Sequence, residues 1–131
     1  MLPESITLAL PNGGTPVNEV ATRIDVFTNR SSYNLAGHSP VLRKQLGFYR
    51  TLPKRQGKFL GVSRSAVKVT LDIDVPNSVG EPTVQPLIAD LGFAVPIGAT
   101  EAEFDGLLDR VEALVEAQRA ILKRSIFGPE I

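Results

Sequence analysis

Asp72 and Asp74 are the residues whose spacing most invites a chemical reading. They alternate along a strand-like run, Ala66 to Val75, so their carboxylates project from one face. Such a pair could act as paired acids or offer hard oxygen ligands to calcium. It could equally face solvent or basic neighbours, and that second role carries more weight. Little else supports catalysis. His38 is the one histidine, set between Gly37 and Ser39 ahead of Pro40 in loop-like sequence, and there is no cysteine. Disulfides and thiol chemistry are therefore excluded, and a zinc site would need carboxylates almost alone. Gly13-Gly14 reads as a turn rather than a phosphate cradle, because no Lys-Ser/Thr or helix start follows. Asn29-Arg30-Ser31 has glycosylation-acceptor spacing, but Met1-Leu2-Pro3-Glu4 lacks the basic-then-apolar pattern of a secretion signal. An enzyme would have to be assembled from scattered residues, so no catalytic residue, metal or cofactor is expected.

Binding is better supported than catalysis. The formal net charge is zero, but it is unevenly distributed. From Arg23 to Lys68 ten bases stand against one acid, Asp25. From Val69 to Gln118 ten acids stand against one base, Arg110. The asymmetry suggests two surfaces with different tasks, one suited to a polyanion; lysines and arginines that merely solubilise loops would leave the same trace. The 131 residues fit one domain, and the 43% hydrophobic content argues against disorder. No apolar run approaches the roughly 20 residues of a membrane-crossing helix, so a soluble protein of a cytosol-like compartment is expected.

The elements that must position these residues follow from periodicity. Ile6, Leu8 and Leu10 alternate with polar or small neighbours, Pro11 to Gly14 makes a turn, and alternation returns at Val20, Thr22, Ile24 and Val26. A polar turn is expected around Asn29 to Ser32, then strands through Tyr33 and Leu35 and through Leu46 and Phe48. Pro53 to Gly57 reads as a basic turn. In the run Ala66 to Val75, Val67, Val69, Leu71, Ile73 and Val75 face one way, and Lys68, Thr70, Asp72 and Asp74 the other. Pro76 to Pro82 reads as a loop centred on Gly80, followed by an extended stretch from Leu87 to Ile97. The period then changes. Thr100-Glu101-Ala102-Glu103 is a capping-box sequence, and Phe104, Leu107, Leu108, Val111, Leu114 and Val115 form a helical stripe. A second helical piece, about Arg119 to Phe127, carries Ile121, Leu122 and Ile126 and stops at Gly128-Pro129. Strands first and helices last reads as α+β. Periodicity leaves open whether the helical stripe covers this chain's own sheet or a partner's.

Two segments carry a resemblance to the levivirus coat proteins of single-stranded RNA bacteriophages. Asp90-Leu91-Gly92-Phe93-Ala94-Val95-Pro96-Ile97-Gly98-Ala99-Thr100 resembles that family's last strand and helix start. Lys68-Val69-Thr70-Leu71-Asp72-Ile73-Asp74-Val75-Pro76 is similar to the strand before its long loop. The resemblance implies a single coat-protein domain over 1–131: an N-terminal hairpin and first strands over 1–28, a main five-stranded antiparallel sheet over 29–98, and two C-terminal helices over 100–127. It implies an interlocked homodimer with a ten-stranded sheet, in which Phe104, Leu107, Leu108, Val111, Leu114, Val115, Ile121 and Leu122 pack across the dimer. Dimers would assemble into an icosahedral shell, with Pro76, Asn77, Gly80 and Pro82 in the loop where dimers meet. The expected place is the virion, after assembly in the cytoplasm of a bacterial host.

The resemblance also implies an inner sheet face that binds the single-stranded RNA genome, including a hairpin that acts as packaging signal and translational operator. That face would take Lys68, Thr70 and Asp72 from one strand, Arg43, Gln45 and Tyr49 from the preceding one, and Ile88 and Asp90 from the last. Arg43 and Lys68 suit phosphate neutralisation, Thr70 a hydrogen bond, and Tyr49 stacking on an unpaired base. Lys54, Arg55, Lys58 and Arg64 would add non-specific affinity. Asp90 stands where a neutral base-contacting residue is expected, which favours genome packaging over hairpin specificity. No membrane partner and no small-molecule substrate is implied. The alternative is a non-viral, dimeric α+β RNA-binding module.

Overall fold

The computed structural model describes residues 2–128; Met1 and the Pro129 of the expected helix stop lie outside the described residues. The chain forms two compact units, one up to Ala94 and one from Val95 onward.

The first unit is built on a six-stranded sheet in strict chain order: β1 (Ser5–Leu10), β2 (Val17–Phe27), β3 (Arg30–Asn34), β4 (Lys44–Thr51), β5 (Val62–Pro76) and β6 (Pro82–Pro96). The expected separate hairpin plus five-stranded sheet differs from this arrangement. β2 is long enough to pair with β1 through its first half and with β3 through its second, so the hairpin continues the sheet. A bulge between Arg23 and Asp25 inserts Ile24 and lets β2 turn from one partner to the other. The expected turn at Asn29 to Ser32 is corrected: Phe27 pairs with Arg30, leaving only Thr28 and Asn29 as the connection. Ser31 is buried inside β3, where packing beside Tyr33 overrides the turn preference of serine. β5 and β6 both begin earlier than their apolar alternation suggests, because Val62–Ser65 and Pro82–Pro86 are polar or proline-bearing yet extended. Pro86 lacks the N–H that a central strand would use, which suits the position of β6 at the sheet edge.

One face of the sheet carries the core. Ala21, Tyr33, Leu35 and Leu46 are buried, with Ile6, Leu8, Phe48, Val67, Val69 and Leu71 packed against them. Tyr33 is wholly buried, meets Phe48 edge-on at 5.7 Å, and donates its hydroxyl proton to the Pro3 carbonyl. The buried phenol is therefore satisfied. Register explains the sidedness: Leu46 lies opposite Val69, Phe48 opposite Val67, and Tyr33 opposite Leu46.

The β5–β6 connection is shorter than the expected Pro76 to Pro82 loop and is internally braced. Asn77 Oδ1 accepts from the backbone N–H groups of Val79 and Glu81, at 3.0 and 2.9 Å, and the Asn77 N–H donates to the Glu81 carbonyl. Gly80 takes a φ of 84°, which a Cβ would disfavour, and Val79 is left 76% exposed at the tip.

The second unit holds α1 (Glu101–Ala117) and α2 (Arg119–Phe127). The capping box forms as its sequence suggests. The Glu103 N–H donates to Thr100 Oγ1 at 3.2 Å, and the Thr100 N–H donates back to the Glu103 carboxylate. No residue of either helix is buried.

Candidate nucleic-acid interface

Alternation along β4 and β5 fixes which side chains share the polar face. Gln45 lies opposite Thr70, Gly47 opposite Lys68, Tyr49 opposite Ala66, and Thr51 opposite Arg64. On the β3 side, Asn34 is paired with Gln45, Ser32 with Gly47, and Arg30 with Tyr49. Cross-strand partners point the same way. Gln45, Tyr49, Arg64, Lys68 and Thr70 therefore share the face opposite the core, and β3 adds Arg30, Ser32 and Asn34 to it.

A shallow polar cleft opens here, lined by Ser32, Arg43, Gln45, Leu46, Gly47, Tyr49, Lys68 and Thr70. Its floor depends on Gly47. A Cβ at that position would meet the Tyr49 ring at 2.8 Å, so the missing side chain lets the phenol lie down along the sheet. Tyr49 remains 39% exposed. The Gln45 side-chain amide donates to Asn34 Oδ1 at 3.4 Å, leaving its own carbonyl oxygen toward other partners.

At the end of the β4–β5 ladder Arg43 and Asp72 form a side-on fork. Arg43 Nε donates to Asp72 Oδ2 at 2.9 Å and Nη2 to Oδ1 at 3.2 Å. The Arg43 backbone N–H also donates to Oδ2 at 2.9 Å, and the Asp72 N–H returns a bond to the Arg43 carbonyl at 2.8 Å. The Asp72 side chain is 5% exposed, whereas that of Arg43 is half exposed. The guanidinium hydrogen bonds, backed by the Arg43 N–H, hold the Asp72 carboxyl below the usual carboxylate range, and the carboxylate raises Arg43 in return. Asp72 is thus occupied by a base, and Asp74 is exposed. Among the described residues no cluster of three or more His, Asp or Glu side chains could hold a metal ion. His38 is part of the framework: its Nδ1 accepts from the Lys44 N–H at 3.1 Å.

Other residues expected on this face stand apart from the cleft. Lys54, Arg55 and Lys58 are exposed in the β4–β5 connection, where Gln56 and Phe59 exchange backbone hydrogen bonds and Arg55 Nε donates to the Gly57 carbonyl. Asp90 is exposed on β6 and does not line the cleft. Of the helical residues, Phe104, Leu108, Val111 and Leu122 are half-buried, and Leu107, Leu114, Val115 and Ile121 are exposed. Pro76 ends β5, Pro82 begins β6, and Asn77 and Gly80 shape the turn between them. The sequence reading missed Ser32 and Arg30, having placed both in a turn. It also missed the Arg43–Asp72 fork, whose only sequence signal is the β4–β5 register.

No protein-family model and no curated protein sequence matches the chain. Solved structures do. The virus-like particle of bacteriophage AVE019 superposes with a TM-score of 0.76 at 11% identity, covering 100% of this chain and 99% of that one. The virus-like particle of Beihai levi-like virus 32 gives 0.69 at 18% identity, covering 82% and 85%. The coat protein of bacteriophage EMS014 gives 0.60 at 17% identity, covering 87% and 74%. Superposition over most of the chain, with matching antiparallel sheet and C-terminal helices at such low identity, means that the chain has the fold of the levi-like bacteriophage coat proteins.

Proposed function

We propose that this chain is a structural coat protein that dimerises, closes into a shell and packages single-stranded RNA against the polar face of its sheet. Uncovered apolar surface carries the reading. Among the described residues only four apolar side chains are buried, while Leu107, Leu114, Val115 and Ile121 on the helices and Leu87, Ile88 and Leu91 on β6 stay largely exposed. A chain of this length normally buries a far larger core. A second copy, with β6 paired edge to edge and the helical stripes packed across the dimer, would cover these surfaces and remove the open edge. The whole of 1–131 then works as one coat-protein domain, and the solved relatives of this fold are subunits of virus-like particles.

The polar face supports the RNA role. Arg30, Arg64 and Lys68 share it, Arg43 lines its cleft, and Tyr49 offers a ring for an unpaired base. Lys54, Arg55 and Lys58 extend the positive charge for sequence-independent phosphate contacts. Asn77 and Gly80, between Pro76 and Pro82, form the braced turn through which dimers meet in the shell. Asp90 does not join the cleft, so packaging rather than recognition of one operator hairpin is the primary role.

Negative-stain microscopy of protein expressed in bacteria, read with its absorbance spectrum, tests the proposal. Uniform round shells with a strong nucleic-acid contribution are expected. Discrete dimers that never assemble, at any salt or with any RNA, would replace the shell by a dimeric RNA-binding module. Shells devoid of nucleic acid would remove the packaging role alone.

A further inference from the structure

We propose that Asp72 is a positioning residue that holds the Arg43 guanidinium as a fixed donor edge, reading a coplanar pair of acceptor atoms on an unpaired nucleotide. The proposal rests on the polar face being an RNA interface. A guanine offers such a pair at O6 and N7, and a phosphate offers it in two oxygens.

Asp72 is too enclosed to meet RNA itself, and both its carboxylate oxygens accept from Arg43. The fork consumes Nε and one N–H of Nη2. Nη1 and the outer N–H of Nη2, the end edge of the same plane, have no partner among the described residues. A third bond, from the Arg43 backbone N–H to Oδ2, fixes the carboxylate relative to the strand. Orientation therefore passes from the Arg43 backbone, just ahead of β4, to carboxylate to guanidinium. Arg43 lines the cleft together with Lys68, Thr70, Gln45 and the Tyr49 ring. Lys68 can meet a phosphate as a point charge, but only a planar fork can select a matched acceptor pair. The carboxylate also supplies a role for an acid on a face otherwise suited to a polyanion. It restrains the arginine without presenting its own charge to the ligand.

Fluorescence anisotropy of the full chain with two labelled 12-nucleotide RNAs decides the matter. One RNA is built of adenine and guanine, the other of adenine and uracil. Arg43→Lys keeps the charge and loses the fork; it should weaken binding about tenfold with little change in salt slope. Asp72→Asn should do the same, and Asp72→Glu should recover part of the loss. A loss confined to the guanine-containing RNA identifies the O6/N7 edge; a loss on both identifies phosphate oxygens. If Arg43→Lys binds both RNAs as the native chain does, charge alone matters and the positioning role is wrong. Arg43→Lys also decides if Asp72→Asn fails to fold, since the Arg43 side chain is half exposed. A native chain that binds neither RNA sinks the RNA reading of the face, and this proposal with it.

Discussion

At Asp72 a carboxylate, and at Gly47 the absence of a side chain, decides the local structure. Because the Arg43 fork depresses the folded-state pKa of Asp72, its stabilisation is complete above the ordinary carboxylate value of about 4 and is lost as pH falls through the lower folded value. Thermal melting from pH 7 to pH 2 should show the native chain more stable than Asp72→Asn at neutral pH. The gap should close only in the most acidic samples; a constant gap would mean that the carboxylate's charge is not what matters. Gly47 acts through space rather than charge. Gly47→Ala sets a methyl group against the Tyr49 ring and should cost about 1 kcal/mol, the low end of overpacking because the ring can swing outward. In a Tyr49→Ala background the same substitution should cost nothing, a coupling that a double-mutant cycle measures directly.

At the scale of elements, the helix start is the most sharply encoded feature. Thr100→Ala removes the acceptor for the Glu103 N–H and should lower stability by about 1 kcal/mol, read as a fall in the thermal midpoint. The capping box was legible because it is written in four consecutive residues. The strands around Ile6–Leu10 and Val67–Val75 were legible because burial of one face forces strict alternation. Legibility failed where the signal lay in another strand. Ser31 and Ser32 read as turn residues in isolation, yet pairing with Phe48 and Gly47 draws them into β3. The Arg43–Asp72 fork joins residues 29 positions apart, and its sequence trace appears only once Leu46 is set against Val69. Gly47 gave no hint of its role until Tyr49 was seen lying across it. The face of β5 bearing Lys68, Thr70 and Asp72 was foreseeable from alternation; its burial of Asp72 was not.

At the scale of the whole molecule, folding and association should be one event. If the exposed helical stripe is covered by a second copy, the thermal midpoint should rise with protein concentration. Leu114→Lys, at an exposed apolar position of α1, should then yield monomeric or unfolded chain in sedimentation rather than dimers and particles. A concentration-independent midpoint, with Leu114→Lys sedimenting as the native chain does, would mean that the helices serve some other surface. Asn77→Ala tests the next level of assembly. It removes the acceptor of two backbone N–H groups in the β5–β6 turn, so shells should form less completely while dimers persist.

The fork has one more consequence, for how β4 and β5 find each other. Apolar alternation distinguishes odd from even registers but is nearly blind to a slip of two residues, which returns aliphatic side chains to the same face. A two-residue slip sets Arg43 against Thr70 or Asp74 instead of Asp72 and leaves an enclosed carboxylate without its base. The pair therefore works as a proofreading mark on the strand ladder, rejecting alignments that hydrophobicity alone would accept. At neutral pH Asp72→Asn chains should refold with a larger fraction trapped in slow, off-register species than the native chain, a difference that should vanish in the most acidic samples.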